Sequence, residues 1–132
     1  SFNCYASTAE DLERIKELDI EFLRKKRREN AKVLLQILSE LAFFPNLEQN
    51  DCPLFVPISV PYGKRDALKQ YLITQQIYCP GHWPVSQLHT LTAQTKFIYE
   101  SELSIVCDQR YDIEDMKRIS NEITTFLKQE IK

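Results

Sequence analysis

From residue 7 to residue 41 the chain contains neither glycine nor proline. Ser7 followed by Glu10 fits a capping box, and the polar and apolar residues that follow alternate with helical spacing, so this stretch is read as a helix. Its apolar positions fall in two groups. Leu12, Ile15, Leu18 and Phe22 form the first, and Ala31, Leu34, Leu35, Leu38 and Leu41 the second. Between them Arg24-Lys25-Lys26-Arg27-Arg28-Glu29-Asn30 fills about two turns with almost no group suited to a core. A continuous helix over this stretch would reach roughly 50 Å at 1.5 Å per residue, against a radius of gyration of about 14 Å for a compact domain of this size. The expectation is therefore a helix that bends at the charged gap, breaks into two, or rests one end against something outside the chain.

The rest of the sequence must supply the body. Leu54-Phe55-Val56-Pro57-Ile58-Ser59-Val60 is rich in strand formers, and Pro57, which cannot donate a ladder hydrogen bond, implies an edge or a bulge with irregular pairing. Ala67, Leu68, Tyr71 and Leu72 recur at helical spacing between Lys64 and Gln75. Ile77-Tyr78-Cys79 reads as a short strand, and Pro80-Gly81-His82-Trp83-Pro84 as an ordered loop. Residues 86–99 are ambiguous, with a short helix near their end. Leu103-Ser104-Ile105-Val106-Cys107 is a second strand. Asp112 and Asp115 cap a closing helix whose apolar face is Ile113, Met116, Ile119, Ile123, Phe126 and Leu127. The fold expected is α+β: a small, mostly antiparallel sheet with helices on one face and a long N-terminal helix. At 132 residues the chain is one domain, with residues 1–41 as the leading helix region and 52–132 as sheet and helices.

Several function classes fall away. With 17 basic and 19 acidic side chains, the net charge of -2 offers no global attraction for nucleic acid or anionic lipid. No stretch is apolar enough to span a bilayer, so neither nucleic acid nor membrane is expected as a partner. Cys4, Cys52, Cys79 and Cys107 are scattered without a C-x-x-C pair and read as reduced thiols of a cytosolic (cytoplasmic) protein. A metal site shared by Cys79, Cys107, His82 and His89 lacks the short repeated ligand spacings such sites use, so no metal is expected. With Gly63 and Gly81 as its two glycines the chain has no glycine-rich phosphate loop.

Two segments resemble motifs of the small domain in DegT/DnrJ-type sugar aminotransferases, of the fold type I pyridoxal-phosphate (PLP) enzymes. Arg65-Asp66-Ala67-Leu68-Lys69-Gln70-Tyr71-Leu72 leading into Ile77-Tyr78-Cys79-Pro80-Gly81-His82-Trp83-Pro84 is similar to the family's helix, strand and H-x-P loop. Leu103-Ser104-Ile105-Val106-Cys107-Asp108-Gln109-Arg110-Tyr111 leading into Ile113-Glu114-Asp115-Met116 is similar to its last strand and final helix. Lys26-Arg27-Arg28-Glu29-Asn30 resembles part of the helix that leads into the domain, so the likeness runs from about Asp11 onward. The chain departs from the pattern at Gln75-Gln76, where the family usually has a glycine, and at the turn 108–111, where a proline is more common.

The resemblance implies a C-terminal small domain acting as the lid of a PLP-dependent aminotransferase (transaminase) on a keto-sugar nucleotide or related carbonyl compound. It implies that the cofactor lysine and most cofactor-binding groups lie on a large domain outside this chain, and that the parent is a homodimer. This piece alone would then neither bind PLP nor catalyse. The substrate-binding candidates are His82 as an anion contact, Trp83 as a stacking wall, and Arg110, whose fork suits a carboxylate or phosphate. Each has a plainer reading. Trp83 fills a small core, His82 lies at the surface, and Arg110 pairs with Asp108 or packs on Tyr111. The basic run 24–28 reads first as a solvated face. A second function class is a non-catalytic interaction module using the long N-terminal helix as its partner surface.

Overall fold

The computed structural model describes residues 6–80, 85–86 and 88–130. Seven elements follow one another: α1 (Ala9–Lys16), α2 (Ile20–Leu38), β1 (Phe55–Ser59), α3 (Arg65–Thr74), α4 (Ala93–Ser101), β2 (Glu102–Val106) and α5 (Ile113–Glu130). The α+β class expected from the sequence is the one observed.

The leading helix is two helices, and the break is not in the charged gap. It falls between Lys16 and Ile20, where the Asp19 carboxylate accepts a hydrogen bond from the Phe22 amide at 2.8 Å and caps α2. A short acidic side chain that can bond its own downstream amides favours a new start over continuation. The capping box at the beginning of α1 is one residue later than Ser7 and Glu10 suggested. Thr8 and Asp11 form it, with Thr8 N to Asp11 Oδ2 at 2.8 Å and Asp11 N to Thr8 Oγ1 at 3.2 Å. The basic run lies within α2, which continues through it as α-helix.

Leu34, Leu35 and Leu38 of α2 bury against Met116, Ile123 and their neighbours on α5 and against β1. On α5, Ile119, Phe126 and Leu127 are also buried, while Ile113 stays exposed. Helix α3 joins this layer through Leu68 and Leu72, and Tyr71 ties it to α5 by donating to Glu122 Oε2 at 2.6 Å.

β1 and β2 pair antiparallel in an unbroken register from Phe55 opposite Val106 to Ser59 opposite Glu102. This corrects the expectation of irregular pairing. The amides of Val60 and Cys107 bond across the two strands, to Ser101 and Leu54 respectively, whereas the carbonyl of Pro57 and the amide of Ser59 turn the other way, to Phe43 and Leu41. In an antiparallel strand a residue's N–H and C=O point to the same side. The donor Pro57 lacks therefore faces away from β2, and the ladder loses nothing. Val56, Ile58, Leu103 and Ile105 share the buried face.

Residues 77–79 are not a strand. Ile77 is instead the last part of a helix stop: the Gln76 amide donates to Ile73 O at 2.9 Å and the Ile77 amide to Leu72 O at 2.8 Å, the paired bonds of a Schellman motif. Gln76 takes φ 59°, the left-handed conformation that glycine adopts most easily. Gln76 thus holds a glycine's conformation within the dipeptide where the resembling family usually carries one.

Candidate functional site

Of the three residues singled out from the sequence, His82 and Trp83 lie outside the described residues. Arg110 lies in the turn between β2 and α5, which is tied by several side-chain hydrogen bonds. Asp108, nearly buried, accepts from the Arg110 backbone amide at 2.9 Å and from its guanidinium at 3.0 Å (Nε to Oδ1) and 2.6 Å (Nη2 to Oδ2). These bonds hold the Asp108 carboxyl below its ordinary pKa and raise that of Arg110. The guanidinium also lies 5.7 Å from the centroid of the Tyr111 ring. Arg110 is thus committed to the local partners that its surroundings suggested.

Two residues of α2 reach this turn from the opposite side. Asn30, wholly buried, donates from Nδ2 to the carbonyls of Asp108 and Tyr111, each at 3.0 Å. Arg27 donates from Nε to Gln109 Oε1 at 2.8 Å. After the turn, Asp112 and Asp115 cap α5 reciprocally, each amide 3.0 Å from the other's carboxylate, and the Asp112 carboxyl is lowered accordingly by its bonds from backbone amides.

The three arginines of the basic run are bonded to the chain's own loops, while Lys25 stays exposed. Arg28 donates to the carbonyls of Glu48 and Asp51, both at 2.7 Å, and Arg24 to Gln49 O and Asn50 Oδ1, both at 3.1 Å. The arginines hold the loop after α2 and the turn after β2 onto one helix. Sequence patterning could not assign these partners, because a carbonyl of any residue type serves.

Two clefts adjoin these loops. One of about 70 Å3 lies between residues 76–79 and the start of α5, with Tyr78, Tyr111, Asp115 and Arg118 on its walls; Arg118 is itself bonded to the Gln75 carbonyl. It has room for a few water molecules. The other, of about 510 Å3, is floored by Leu35, Val56 and Pro57 and rimmed by Phe44, Glu48 and Asp51. Neither fits PLP: the first is too small, and the second has two carboxylates and neither a lysine nor an arginine in its lining. Cys79 and Cys107 are buried core residues whose thiols burial pushes up to about 11 and about 12, far from a reactive thiolate. No three His, Cys, Asp or Glu side chains among the described residues form a group able to hold a metal ion. Among the same residues, no helix is long and apolar enough to cross a membrane.

No family model matches the chain. No curated protein matches it either. Among solved structures it is similar to a DegT DnrJ EryC1 StrS aminotransferase from Brucella abortus, with a TM-score of 0.65 and 20% sequence identity. The likeness covers 87% of this chain and 33% of that one, so the chain spans about a third of the enzyme's length. At this identity the likeness is one of fold: a helix-backed antiparallel pair of strands, built as in one part of an aminotransferase.

Proposed function

We propose that this domain is the small, lid-forming part of a PLP-dependent aminotransferase acting on a keto-sugar nucleotide or related carbonyl compound, and that it is not catalytic alone. The observation that carries the reading is the fold likeness to a DegT DnrJ EryC1 StrS aminotransferase over 87% of the chain, which agrees with the order of the motifs at 65–84 and 103–116. In such an enzyme the domain's part is to wall the cleft and exclude water while PLP serves as the electron sink. Arg110, with its orientation set by Asp108, and the loop bearing His82 and Trp83 are the candidates for substrate contact. The resemblance implies a homodimeric parent, and the scattered cysteines read as the reduced thiols of a cytoplasmic one.

A second reading, a non-catalytic interaction module, is favoured by one observation: α1 buries none of its residues. The two separate on a longer native chain that carries the sequence upstream. Titrated with PLP, such a chain should develop the visible absorbance of cofactor bound to lysine. A longer chain that develops none removes the aminotransferase reading and leaves the module.

A further inference from the structure

We draw no further inference here: the strongest candidate, the cleft of about 510 Å3 between α2, the loop after it and β1, sets apolar walls beside two carboxylates whose loop is itself bonded to Arg24 and Arg28, so its charge selects no ligand and nothing in the structure shows what covers it.

Discussion

The side-chain amide of Asn30 lies 3.0 Å from the backbone carbonyl of Asp108, 78 residues further along the chain. The same nitrogen serves the Tyr111 carbonyl, so one buried amide on α2 fixes the turn that presents Arg110. Asn30→Ala leaves these carbonyls without that donor in a water-poor place. The expected loss is about 1–3 kcal/mol of stability, read as a lower urea midpoint at unchanged slope.

The left-handed residue that ends α3 carries a side chain where none is needed. Gln76→Gly relieves the steric cost at φ 59°, in part offset by the greater freedom of glycine in the unfolded chain. Stability should rise by about 0.5–1 kcal/mol. Thermal melts should show that gain for Gln76→Gly and no comparable gain for Gln76→Ala, which keeps the Cβ.

Acid should loosen the turn after β2. The hydrogen bonds from Arg110 hold the folded-state pKa of Asp108 below 3.8, its ordinary value. Below 3.8 the unfolded chain therefore takes up a proton that the folded chain resists. The stabilisation is complete above that value and lost as pH falls through the folded-state pKa. Urea melts between pH 7 and pH 2 should show a steeper acid limb for the native protein than for Asp108→Asn.

The thiols give the opposite sign. Cys79 and Cys107, raised to about 11 and about 12 by burial, stay neutral in the fold above the ordinary value of 9.0, where the unfolded chain ionises. Stability should therefore fall as pH rises past 9. At pH 8 a maleimide should modify the exposed Cys52 quickly, and Cys79 and Cys107 at the rate of unfolding, as peptide mapping by mass would resolve.

Where the chain's periodicity reports burial, the fold was legible. The second apolar group of α2, the helix from Arg65 and the face of α5 follow from spacing, because a core selects side chains by polarity, and both strands follow from their strand-forming residues. The break at Asp19 was written in the sequence as a capping residue, but the unbroken helical pattern on both sides hid it. Asn30 was grouped with a charged gap, since nothing local reveals that a polar side chain will meet carbonyls brought from residues 108 and 111 by the sheet. The same holds for Arg24, Arg27 and Arg28, whose partners are mostly backbone atoms. At the candidate site, the Asp108–Arg110 pairing was readable because its members are two residues apart. Pro57 was read correctly as a non-donor, yet which edge its missing N–H would face depends on register, which strand composition does not encode.

If a large domain supplies the chemistry, as proposed, the direct measurement is amino transfer by the purified 132-residue protein given PLP, an amino-acid donor and a keto-sugar nucleotide. Turnover no faster than that of free cofactor is predicted. Enzymatic transfer by this chain alone would contradict it.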